Sequence, residues 1–176
     1  MKIWLLFIVV LLVAAIMSGC IGKPQNTDEI DGGVIIDDGV DAPKTITSTQ
    51  IVSFACEFST LTLMEETALG NEVYTLEAVL DENGVMGSCE TRETGKRTFE
   101  AEASFMEQLQ QIVAQYDLAQ FNGNVYKVSG LPDQFGAYLN VIYESEEQIY
   151  ASNNQDCFLP LAGMEDLWNL FFRQIQ

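Results

Sequence analysis

Apolar residues recur at every second position from residue 51 to 58, through Val52, Phe54, Cys56 and Phe58, which predicts a strand with one buried face. Residues 72–80 alternate in the same way through Tyr74, Leu76, Ala78 and Leu80. Asp81-Glu82-Asn83-Gly84 then supplies a hairpin turn before a returning strand over 85–91. Residues 92–97 are polar and run into a turn at Thr94-Gly95, and 98–103 predict a short strand. The period then changes. Phe105, Leu109, Ile112, Val113 and Tyr116 form one helical stripe behind Ser104 and Glu107, which are spaced as a capping box with Ser104 at the N-cap. Asn122-Gly123 stops that run. Residues 135–144 predict a strand, Ser145-Glu146-Glu147 a turn and 148–152 its partner; Met164, Leu167, Trp168, Phe171 and Ile175 predict a last helix over 163–174.

A hairpin followed by a helix thus occurs twice, without residue-level identity between the halves. Hairpins laid side by side can share one sheet, so the expected fold is α+β. It is a two-layer sandwich, with a mainly antiparallel sheet built from successive hairpins and two helices on one face, in a single domain over residues 50–176.

The first fifty residues have a different texture. After Lys2, residues 3–17 carry no polar side chain, and the run ends at Ser18-Gly19-Cys20. A membrane-spanning helix needs about 20 apolar residues, so this run reads as a signal peptide instead. Met17-Ser18-Gly19-Cys20 resembles the lipobox of bacterial lipoproteins, departing from it at Met17, where leucine is usual. The resemblance implies that residues 1–19 are removed and that Cys20 becomes the acylated, palmitate-bearing N-terminus. The expected location is a cell membrane, lipid-anchored and facing the extracytoplasmic side. Residues 20–49 hold Asp28, Glu29, Asp31, Asp37, Asp38 and Asp41 among Gly, Pro and small polar residues, which predicts a disordered acidic tether. The cluster lacks the alternating spacing and terminal Glu of an EF-hand, so no metal site is assigned to it.

The formal net charge of −18 argues against nucleic acid, where affinity comes mainly from Lys and Arg at phosphates. It also disfavours adhesion to anionic lipid, which leaves the acyl chains as the membrane contact. Such a surface suits a cation or a basic partner, and equally a solvated exterior that keeps the protein soluble. There is no histidine, which removes Ser-His-Asp and Cys-His catalysis and His-ligated zinc. Besides Cys20, the chain has Cys56, Cys89 and Cys157, without C-x-x-C spacing. Cys56 and Cys89 are in phase with core positions; a disulfide between them and two buried free thiols account for that equally well.

From 116 to 123 the chain reads Tyr-Asp-Leu-Ala-Gln-Phe-Asn-Gly; a strand ending Val141-Ile142-Tyr143-Glu144 and a partner with Ala151-Ser152-Asn153 follow. This resembles uncharacterised lipoprotein domains of Gram-positive bacteria, in which a helix ends near an aromatic-Asn-Gly step and a hairpin ending in Ala-Ser follows. The family implies no activity. Adjacent acids such as Glu65-Glu66 and Glu146-Glu147 point apart on a strand, and no Gly-rich phosphate loop or G-x-S-x-G is present. Tyr138, Tyr143, Tyr150, Trp168, Phe171 and Phe172 are candidates for a ligand groove, although most should be core. Phe171 and Phe172 cannot face the same way, so Phe172 beside Trp168 marks a candidate partner surface. The reading that follows is a non-catalytic binding or interaction module at the cell envelope, without cofactor, whose partner is an envelope protein or a glycan. The alternatives are a carboxylate-based glycan hydrolase and an accessory solute- or cation-binding lipoprotein.

Overall fold

The computed structural model describes residues 27–30, 33–37, 41–61, 63, 67–131 and 135–176, the first two segments as backbone only. Nine strands form one open sheet: β1 (Thr27–Ile30), β2 (Gly33–Asp37), β3 (Ile51–Ser59), β4 (Val73–Asp81), β5 (Gly84–Thr91), β6 (Gly95–Ala101), β7 (Val125–Val128), β8 (Ala137–Tyr143) and β9 (Gln148–Asn153). Their order is β1-β2-β7-β9-β8-β3-β4-β5-β6. Every pairing is antiparallel except the short parallel contact of β7 with β9. Two helices, α1 (Ser104–Gln115) and α2 (Leu161–Phe172), complete the two-layer α+β sandwich that the pattern predicts.

Strand β3 lies at the junction of the two hairpin units, bonded to β4 on one side and β8 on the other. Its inward residues Phe54, Cys56 and Phe58 are buried together with Leu76, Ala78, Leu139, Val141 and Ile149 from the flanking strands. Both helices cover this face. Phe171 of α2 packs its ring centroid 6.0 Å from Phe54, 5.7 Å from Phe99 on β6 and 5.1 Å from Phe105 on α1. The helices meet where Gly163 faces the ring of Tyr116, whose hydroxyl donates to Asp166 Oδ2 at 2.7 Å. Opposite Phe99 in the register stands Gly87, and a Cβ there would lie 2.2 Å from the ring, so the phenyl group fills the space that the glycine leaves.

Several expectations need correction. The capping box at Ser104 and Glu107 does not form: Ala103 is the N-cap, in αR conformation, with no side-chain cap bond. The amides of Phe105 and Met106 instead donate to the carbonyls of Glu102 and Ala103, a tight first turn that leaves Ser104 without that task. Strand β6 starts at Gly95, within the stretch expected to be a turn. The tether expected over 20–49 contains β1 and β2, and its last residues lie along the domain. Cys20 and the expected signal fall outside the described residues.

The Cys56–Cys89 disulfide is also corrected. Both thiols are free and buried, and in the register Leu76 of β4 stands between them. Two strand spacings are about 10 Å, well beyond the reach of a disulfide. Burial pushes both thiols above their ordinary pKa.

Candidate functional site

The sheet face opposite the helices has no helix over it among the described residues. Register neighbours place Tyr150, Asn140, Ala55, Glu77, Ser88 and Thr98 in one row across six strands. The next row is Ser152, Tyr138, Glu57, Thr75, Glu90 and Lys96. Val79 and Met86 oppose each other in a third row, each 50% exposed, and Tyr150 is 39% exposed. Tyr138 and Tyr150 meet edge to face, centroids 5.8 Å apart at 83°. Gln148 Nε2 donates to Asn140 Oδ1 at 2.7 Å beside them. Lys96 Nζ bonds Glu77 Oε2 at 2.8 Å, and this bond, with one from Ser88, holds the Glu77 carboxyl below its usual range.

Beside Tyr150 the face runs into a cleft of about 610 Å³. One wall is Asn122, Gly123, Val125, Gln148 and Tyr150; the other is Ala42, Pro43 and Ile46, from the segment leading into β3. That segment, residues 42–48, crosses the end of the sheet as a strap. Two side chains hold it. Glu147 accepts from Thr47 N at 3.0 Å, Ser48 N at 2.8 Å and the Thr47 hydroxyl at 3.2 Å. Asn122, 4% exposed, donates from Nδ2 to Pro43 O at 2.9 Å and to Gln148 O at 2.8 Å, and its Oδ1 accepts from Tyr150 N at 2.8 Å. Lys44 Nζ completes the contact on Asn122 O and, at 3.0 Å, on Asn124 Oδ1. Asn122 thereby pairs with β9 as a strand residue would, just before β7 begins.

The amides of Thr47 and Ser48 stabilise the ionised form of Glu147 and lower its pKa. A carboxyl held ionised in this way does not serve as a proton donor, so the Glu146-Glu147 pair lacks the raised acid that glycosidic cleavage requires. The sign of the pH dependence follows. A depressed folded pKa contributes stability that is present above the ordinary glutamate pKa and lost as pH falls through the folded value. In an NMR titration the Thr47 and Ser48 amide resonances are therefore expected to hold steady at neutral pH. They should shift together at a midpoint below that of free glutamate. A midpoint at or above the free value would contradict the clamp.

No protein-family model, no curated protein and no solved structure matches the chain. The site therefore rests on its own geometry. Trp168 and Phe172, the candidate partner surface, are half-buried: their rings stack at 5.2 Å, and Trp168 sets its edge against Tyr74 at 4.8 Å. They lie on the helical side, away from Tyr138 and Tyr150. Cys157 packs its sulfur 3.4 Å from Met164 Sδ. Among the described residues, no three His, Cys, Asp or Glu side chains converge as metal ligands. The sequence pattern pointed to Tyr138 and Tyr150 as groove aromatics but passed over Lys44, Asn122 and Glu147. Asn122 carried a signal of its own, since an Asn-Gly step at the end of a helix is often a bonded turn.

Proposed function

We propose that this chain is a lipid-anchored binding module of the cell envelope, held through Cys20 on the extracytoplasmic side. Its contact surface is the open sheet face around Tyr138, Tyr150, Val79 and Met86. The observation that carries this reading is the one-sided sheet, with both helices on one face and half-exposed apolar and tyrosine side chains on the other. Exposed apolar groups grouped on one surface mark contact sites more often than isolated ones do. The partner is an envelope protein or a glycan, since tyrosines and side-chain amides suit either.

Two measurements test the two halves of the reading. In cells fed an alkyne fatty acid, the full chain is expected to carry the label and to sediment with membranes, and Cys20→Ala to lose both. Labelling that survives Cys20→Ala refutes the anchor. A photo-cross-linking side chain at Met86 or Tyr150 is expected to capture discrete envelope components, whereas one at Asn169 on the helical side captures few. Equal capture from both sides refutes the surface.

A further inference from the structure

The strap is held as a bound peptide is held. Its backbone supplies two amide donors, from Thr47 and Ser48, and one carbonyl acceptor, from Pro43. Its side chains supply an ammonium group, Lys44, and an apolar anchor, Ile46, which packs against the core. The body supplies the complements: the Glu147 carboxylate, the Asn122 amide, and the oxygens of Asn122 and Asn124. Apart from Ile46, these contacts are polar and lie at or near the surface, with Lys44, Thr47 and Glu147 exposed. Few buried apolar contacts hold the strap, and that is the character of segments that open locally without global unfolding.

We propose that the groove between Glu147 and Asn122–Asn124 is a peptide-binding site occupied in cis by residues 43–48. Its ligand in trans is an extended segment of the same chemistry: a lysine, an apolar residue two positions on, and small hydroxyl residues after it, as in Lys44-Thr45-Ile46-Thr47-Ser48. The strap is then an internal competitor. A ligand engages when the strap lifts, at a cost equal to the strap's own affinity for the groove. Release frees about seven residues, which extend at most about 3.5 Å each, roughly 25 Å in total. If the chain is anchored through Cys20, the domain gains that reach from the membrane. This last consequence rests on the reading above, whereas the groove itself does not.

The test uses the full chain in detergent. A fluorescent peptide of residues 42–49 is titrated against wild type and against Lys44→Glu/Ile46→Asp, whose strap is weakened while the groove keeps its residues. Anisotropy is expected to show saturable binding to the double variant and at least about tenfold weaker binding to wild type. Adding Glu147→Ala is expected to weaken the peptide by about tenfold or more, as losing hydrogen bonds to a charged group implies. A peptide with glutamate in place of its lysine should not bind. Absence of binding to a folded double variant overturns the proposal, as does binding indifferent to Glu147→Ala. If the double variant does not fold, wild-type hydrogen exchange decides. Thr47 and Ser48 amides should exchange far faster than those of the β3–β8 ladder, and exchange only at the rate of global unfolding overturns it. Fatty-acid labelling and cross-linking at Met86 are independent of these outcomes.

Discussion

Phe171→Ala is expected to lower the unfolding free energy by about 4 kcal/mol, the range measured when a buried phenyl ring is removed. Phe171 is fully buried and is the ring shared by four elements: α2 itself, Phe54 on β3, Phe99 on β6 and Phe105 on α1. Phe99 is in turn committed to filling the space above Gly87, and so it cannot swing into the vacated volume without uncovering that backbone. The cavity should therefore stay open, which puts the cost toward the upper part of the range. Stabilities of single domains run to about 5–15 kcal/mol, so such a variant keeps only a small margin. Urea denaturation should show a lower midpoint with an unchanged slope. Phe172→Ala, removing a half-buried ring stacked on Trp168, should cost about 1 kcal/mol. Equal losses from the two substitutions would remove Phe171 from the centre of the core.

Much of this core could be read from the chain. The alternation of Phe54, Cys56 and Phe58, the hairpin at Asp81-Glu82-Asn83-Gly84 and the stripe ending in Phe171 each report a local period, and a buried face needs no distant partner to show itself. Three features escaped because their causes are not local. Strand β7 has four residues, and its registered pairing with β9 covers two positions, too few for any period. Strands β1 and β2 lie in a stretch whose charge argued for disorder, yet the two residues between them are Asp31 and Gly32, a pair favoured in two-residue hairpins. The turn chemistry was present and was outweighed by composition. Cys56 and Cys89 were rightly placed in the core, but their separation depends on a register that inserts Leu76 between them. The site was the least accessible part. Glu147 reaches back 100 residues to Thr47 and Asn122 reaches 79 to Pro43, and no spacing rule connects such positions.

Replacing Asn122 is the second large effect to expect. Asn122→Ala removes one acceptor and two donated bonds, leaving Pro43 O, Gln148 O and Tyr150 N without their partner at the end of β9. Each unpaired polar group costs about 1–3 kcal/mol when water cannot replace the partner. Water reaches the strap side, so a loss of about 3 kcal/mol is expected for the set. Asn122→Asp separates hydrogen bonding from packing, because it preserves volume and still accepts from Tyr150 N. It turns an oxygen, however, toward the two carbonyls that Nδ2 now serves, and only the neighbouring Lys44 ammonium offsets that repulsion. The aspartate variant is therefore expected to be destabilised about as much as the alanine variant. Its Lys44→Met double variant should be weaker still, by an amount that salt reduces. Both single variants should also speed amide exchange at Thr47 and Ser48, because the strap loses its Pro43 contact, while the β3–β4 ladder keeps its protection. An aspartate variant as stable as wild type would mean that the Asn122 amide donors contribute nothing, and that the strap rests on Glu147 and Ile46 alone.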